Sequence, residues 1–270
     1  MKQLTLFLFC IMTILAHGQK SKGPKFDIAD FNSKFEVAQW LFEYDYVAWH
    51  TSDSVMVQDK SEINRLGREW FCFKDKNKNW HAVYGKYDNQ NFDLVFHFKL
   101  DSNFKISRVY DKVDTLLLNS YSRALITANK QIKALKDTVN LSFNQFITQN
   151  DDKTFSVYIL PAFQRNNTVI YGGEFIYSID YSGNKILKDE SYFQGDFRGF
   201  KAAPPREIWL NYRELEKPTL GAIFFVWYYK KYFTSINIDC SKSVSTVIKG
   251  DNNDYTWLHI EKDPAKIKKE

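Results

Sequence analysis

The tightest constraint on this chain lies in residues 154–193, TFSVYILPAFQRNNTVIYGGEFIYSIDYSGNKILKDESYF, which read as three β-strands and two turns. Residues 154–160 are dense in β-branched and aromatic side chains, which suit a pleated, half-buried surface. Pro161 closes that run because it has no N–H to give to a ladder. The polar cluster 164–167 marks a turn. Further on, Phe175, Tyr177, Ile179 and Tyr181 alternate with Glu174, Ser178 and Asp180, the period of a strand. Ile176 interrupts the polar set, so that face is only half wet. Gly172-Gly173 predicts a bulge or a close approach of another backbone. Ser182-Gly183-Asn184 predicts a hairpin turn with positive φ, after which 186–192 returns antiparallel.

The flanking sequence supplies two long helices and more strands. Ser33-x-x-Glu36 has the form of a capping box and predicts a helix from there to about His50. Phe35, Ala38, Phe42, Tyr46 and Trp49 form one apolar stripe on it, and Val37, Leu41, Tyr44 and Ala48 form another. Residues 61–66 predict a short helix stopped by Gly67. A meander follows at 69–74, 80–87, 92–100 and 104–110, separated by polar turns. Asp114 can cap a second long helix running to about Leu135, with Leu117, Tyr121, Leu125, Ala128, Ile132 and Leu135 on its buried side. Residues 141–147 read as a helical turn and 194–205 as a loop. Residues 206–213 read as a strand. Residues 218–233 are open between helix, with Pro218 at its first position, and strand. Strands at 234–239, 244–249 and 255–260 close the chain. The fold class is therefore α+β, with mainly antiparallel sheets packed against two long helices. No linker separates the conceivable lobes 26–111 and 112–262, so 19–262 reads as one domain.

Residues 1–18 carry the pattern of a signal peptide: Lys2, an apolar run over 4–15, then Ala16-His17-Gly18 with small residues at −3 and −1. Export to the periplasm or beyond is the expectation, with no transmembrane helix left after cleavage. The formal charge is +5, or +4 without Lys2, and it is spread along the chain except in the basic tail, 263–270. An exported, mildly basic chain of this kind is not expected to meet nucleic acid, and the tail reads as solvated. Cys72 and Cys240 remain after cleavage, and an oxidising compartment permits one disulfide between them.

The motifs ILPA, YGGEFIYSID and SGNKIL also resemble a segment shared by exported bacterial proteins of unknown function. In those relatives a short LP(A/G) strand precedes a GG(D/E)(Y/F) strand and a DG(K/N) hairpin. Some carry a histidine in the strand after the hairpin, where this chain has Asp189-Glu190-Ser191-Tyr192. The resemblance spans about forty residues and implies export and an α+β fold, but no activity.

The short motifs of nucleotide, metal and nucleophilic chemistry are absent, and no cofactor is implied. His81 and His97 fall on adjacent strands. In a regular hairpin centred on Asn89-Gln90 their rings point to opposite faces, so no metal site is expected without a bulge. His50 stands three residues before Asp53 and next to Thr51, an arrangement open to a base with an orienting partner. The plainer reading is a cationic residue at a helix C-terminus. Gly172, Gly173 and Glu174 are candidates for a ligand cleft. The run FFVWYYKKY at 224–232 reads as core with a wet end, or as an exposed aromatic patch suited to glycan stacking or a membrane surface. The functional expectation is a non-catalytic exported protein that binds an envelope protein or glycan. The alternatives are a hydrolase using His50 and Asp53, with His97 a further candidate, and a self-protection protein that blocks a toxin.

Overall fold

The computed structural model describes residues 26–101, 103–203, 206–252 and 254–263. The predicted signal peptide, the pair Pro204-Pro205 and the tail beyond Asp263 lie outside the described residues. The chain is α+β, and its described residues build three sheets that are antiparallel except at one pair of strands.

Helix α1, Ile28–Met56, is 29 residues long, which makes it about 43 Å at the usual rise. It begins earlier than the capping-box reading, at Asp27, whose carboxylate accepts the Asp30 N–H. Tertiary packing chose that cap: Phe31, in the first turn, is buried against Trp257 and His259. The helix also continues past His50. Thr51 and Ser52 are weak helix formers, yet Thr51 Oγ1 donates to the Val47 carbonyl and shares a 2.6 Å hydrogen bond with the Tyr84 hydroxyl. The turn expected at Ser52-Asp53 is therefore helical.

A short helix α2, Lys60–Ile63, leads into the meander β1, Glu69–Lys74; β2, Trp80–Tyr87; β3, Phe92–Leu100; and β4, Ile106–Arg108. These form one sheet in sequential order. Helix α3, Thr115–Gln131, starts on Asp114 as predicted, with that carboxylate accepting from the N–H groups of Leu116 and Leu117. Helix α4, Lys133–Thr138, extends it.

The segment read as a helical turn is instead strand β5, Phe143–Gln149, paired with β6, Phe155–Pro161. β6 pairs with β7, Thr168–Ile179, and β7 is the longest strand. Its other partners are β8, Ile186–Asp189, and β9, Tyr192–Lys201. β9 replaces the expected loop. Its Gly195 and Gly199 look like loop residues, yet the strand pairs along the first half of β7 as a largely exposed edge. The register shifts between Tyr171 and Gly173, where Gly172 has φ 110°, so the predicted bulge is present.

The third sheet runs β10, Glu207–Tyr212; β11, Ser235–Cys240; β12, Ser243–Lys249; and β13, Tyr255–Glu261. β10 and β11 are parallel, and helix α5, Leu220–Tyr229, makes the crossover that a parallel pair requires. The ambiguous 218–233 stretch thus resolves as helix, with Thr219 as its cap and Pro218 just outside. Lys230–Tyr232 continue it as a 3₁₀ turn.

The core has two parts. One gathers α1, α5 and the inner faces of all three sheets. The other lies under α3, where Leu118, Tyr121 and Leu125 meet Phe71, Val83, Phe155 and Ile179. Each part draws residues from both sides of position 111, so the packing does not divide there. Among the described residues no helix is long and apolar enough to cross a membrane.

Candidate functional site

The outer side of α1 and the C-terminal end of α5 enclose an open groove of about 550 Å³. Its walls are aromatic: Phe42, Tyr46 and Trp49 from α1, Phe163 from the loop after β6, and Tyr228 and Tyr232 from α5 and its extension. The apolar stripe of α1 had placed Tyr46 and Trp49 in the core. They are instead 38% and 68% exposed, and Tyr232 is 42% exposed. Helix rotation explains the difference. The adjacent stripe, with Leu41, Tyr44 and Ala48, takes the inner face, which leaves Tyr46 and Trp49 to solvent. The 224–232 run splits likewise. Phe224, Phe225 and Tyr229 are core, while Tyr228 and Tyr232 reach the groove.

Asp45 lies at the groove and is buried. Its Oδ2 accepts from the Tyr228 hydroxyl at 2.5 Å, and its Oδ1 accepts from Asn144 Nδ2 at 3.1 Å. Burial raises its pKa, and the Tyr228 hydrogen bond only partly offsets that. Burial and the Asp45 charge in turn push the Tyr228 hydroxyl well above its ordinary range. The cation on the neighbouring wall, Lys230, is turned elsewhere: its Nζ donates to the Trp227 carbonyl and sits 3.7 Å from the centre of the Trp227 ring. Asp45 and its partners were not legible as a site. The available signal was a carboxylate set between Tyr44 and Tyr46 in an apolar stripe.

His50 also lines this groove, with its ring 4.1 Å from that of Tyr46. Asp53 is exposed on the next turn of α1. Among the described residues no hydrogen bond joins His50 to Asp53, and none brings a hydroxyl to the imidazole.

A second hollow, of about 520 Å³, opens between the meander and α3. The β2–β3 hairpin is not regular. A register shift between Tyr84 and Gly85 puts His97 opposite Val83 and His81 opposite Lys99, so both rings take the same face. His81 Nδ1 and His97 Nε2 are 2.8 Å apart, and His81 Nε2 is 3.2 Å from Asp75 Oδ2. Burial opposes ionisation of Asp75, but the side chain and backbone of Asn79, the His81 ring and the Asn77 N–H outweigh it and hold its pKa far below the usual carboxylate range. Burial and the nearby His81 lower the pKa of His97. His97 Nδ1 is buried without a well-formed hydrogen bond, and the Asp111 backbone is the polar group beside it. The chain Asp75–His81–His97 can pass a proton, but among the described residues no hydroxyl or thiol is hydrogen-bonded to either ring. No three His, Cys, Asp or Glu side chains among the described residues are placed to hold a metal ion. His259 is apart from both hollows, bonded to Ser245 Oγ at 2.9 Å and stacked on Phe26.

At the bulge, the space lined by Gly172 and Gly173 is only about 20 Å³, room for about one water. Glu174 turns inward from it. Its carboxylate is buried and accepts the Gly221 N–H in the first turn of α5. Burial pushes its pKa up to about 7, against the lowering effects of the Thr219 hydroxyl, the Gly221 N–H and the Lys34 charge. Cys72 and Cys240 are both buried and both free, so the permitted disulfide is not formed. They belong to separate sheets, on β1 and at the end of β11. Comparison with protein-family models, curated proteins and solved structures finds no match to this chain.

Proposed function

We propose that the chain is a non-catalytic binding protein of the cell envelope that takes a glycan in the aromatic groove. The observation that carries this reading is the cluster of three part-exposed rings, Tyr46, Trp49 and Tyr232, around the polar floor of Asp45 and Tyr228. Aromatic faces stack on the apolar faces of sugar rings, and a carboxylate with a hydroxyl can take up sugar hydroxyls. A soluble fold does not ordinarily leave a tryptophan two-thirds exposed beside two exposed tyrosines without a partner. The leader-like residues 1–18 support the envelope as the place of action.

The test is a titration with soluble oligosaccharides prepared from envelope polymers, followed by tryptophan fluorescence and calorimetry. Saturable binding that Trp49→Ala weakens at least tenfold, with the unfolding midpoint unchanged, is the expected result. Binding that is indifferent to Trp49 would move the ligand elsewhere.

A second reading, an exported hydrolase, is favoured by one observation: His97 stands in a hollow and is linked through His81 to Asp75. It needs a nucleophile or a water supplied by the substrate complex. Turnover of a chromogenic ester or glycoside, abolished by His97→Gln and not by Trp49→Ala, is the result that would prefer it.

A further inference from the structure

Resting on the reading of the aromatic groove as a binding site, we infer that its ligand carries a positive charge, and that the sugar it selects is an amino sugar with a free ammonium group seated on Asp45. Asp45 is buried, yet both of its hydrogen-bond donors, Tyr228 and Asn144, are neutral. Among the described residues it has no ion-pair partner. A carboxylate withdrawn from water without a counter-charge is costly, and such groups are ordinarily paired. The protein has a cation within reach of the groove wall in Lys230, but its ammonium lies over Trp227 and near Phe42 rather than against Asp45. The carboxylate is thus left for an incoming group.

The surroundings suit that group. Phe42, Tyr46, Trp49, Phe163, Tyr228 and Tyr232 present rings around the space next to Asp45. Ring faces carry negative potential and attract an ammonium, most strongly where water is thinned out. The Tyr46 and His50 rings lie tilted against each other at 4.1 Å, and Phe163 and Tyr232 stack at 5.7 Å, so the walls are braced by their own contacts. A neutral N-acetyl group in the same position would offer the Asp45 carboxyl no counter-charge and add an amide to be satisfied. A neutral glycan would use the rings alone.

The experiment compares ligands that differ only in charge. Glucosamine oligosaccharides and their fully N-acetylated counterparts of equal length are titrated at pH 7.5 and followed by tryptophan fluorescence and calorimetry, with tetramethylammonium as a sugar-free cation. The expected result is at least tenfold tighter binding of the free amine. Asp45→Asn should bring the two oligosaccharides to within about twofold of each other. The wild-type comparison stands even if that variant folds poorly. Equal or tighter binding of the acetylated form overturns the charge selectivity and leaves the groove a glycan site. Asp45-dependent binding of tetramethylammonium without either sugar upholds the cation site and overturns the glycan. Silence from all three ligands overturns both.

Discussion

His81 Nδ1 and His97 Nε2 face each other at 2.8 Å, from neighbouring strands whose regular pairing would have turned the two rings to opposite sides of the sheet. One residue of slippage at Tyr84/Gly85 makes the difference. Burial and the His81 neighbour lower the pKa of His97 beneath its ordinary 6.5. The unfolded chain therefore takes up a proton near pH 6.5 that the folded chain still resists. The stability from this group is complete above pH 6.5 and declines as the pH falls through the lowered value. His97→Phe removes the titration. Its unfolding free energy, measured in denaturant, should improve relative to the natural chain as the pH goes from 7.5 to 5. A difference independent of pH would show that the ring titrates freely.

The same pair shows where a sequence stops being readable. The strands of the meander and the cap at Asp114 were legible because they depend on neighbours in sequence: alternation, turn residues and a carboxylate two to three residues before its N–H donors. The bulge at Gly172-Gly173 was legible for the same reason. What failed depended on distant packing. Phe31 against Trp257 moved the start of α1, and Thr51 against Tyr84 moved its end. β9 escaped notice because its pairing with β7, not its composition, makes it a strand. The groove escaped because which of two apolar stripes faces inward is decided by what the helix packs on. Asp45 meets Tyr228 across 183 positions, a relation that no local pattern announces.

Glu174 is the second ionisable group with a stability consequence, and its sign is opposite. The carboxyl ionises near 4.5 in the unfolded chain and near 7 when buried beneath α5. The folded protein holds the proton across that window, so this contribution is full below pH 4.5 and is lost as the pH rises through 7. The shift corresponds to at most about 3 kcal/mol. Glu174→Gln keeps an oxygen for the Gly221 N–H and abolishes the charge. It should be more stable than the natural chain at pH 8 and close to it at pH 4.5. Urea unfolding at the two values reads the difference directly, and a variant that is less stable at pH 8 would mean the ionised carboxylate is favoured at the helix end.

The turn between β7 and β8 is docked on α3. Arg123 Nε donates to the Ser182 carbonyl at 2.6 Å, and Thr127 Oγ1 to that of Gly183 at 2.8 Å. Gly183 has φ 79°, and a Cβ there would press on the backbone of α3 at Ser120 and Ala124. Gly195 has a similar φ of 84° with nothing near its missing Cβ. Alanine at either site incurs left-handed backbone strain of about 1 kcal/mol, but only Gly183→Ala also prises the hairpin from the helix. Its loss of stability should exceed that of Gly195→Ala by about 1–3 kcal/mol in denaturant unfolding. Equal losses would show that the hairpin rests only loosely on α3.

The buried pair Cys72 and Cys240 carries a prediction about redox conditions. Cys72 is sealed in the core, where burial pushes its thiol well up, and Tyr44 Oη accepts its backbone N–H at 3.0 Å. Burial raises Cys240 to about 12. A thiol must ionise to react, so both are inert in the folded state. A bridge between them would close a loop of more than a hundred residues, and on the chain-entropy model it would add about 4–5 kcal/mol that reduction would remove. Because both thiols are free, the thermal midpoint should be the same with and without dithiothreitol. A maleimide reagent should modify neither Cys72 nor Cys240 in native protein and both of them in guanidinium. A midpoint that drops by several degrees on reduction, or a denatured chain that takes up no maleimide, would mean that Cys72 and Cys240 meet in an oxidised form of the fold.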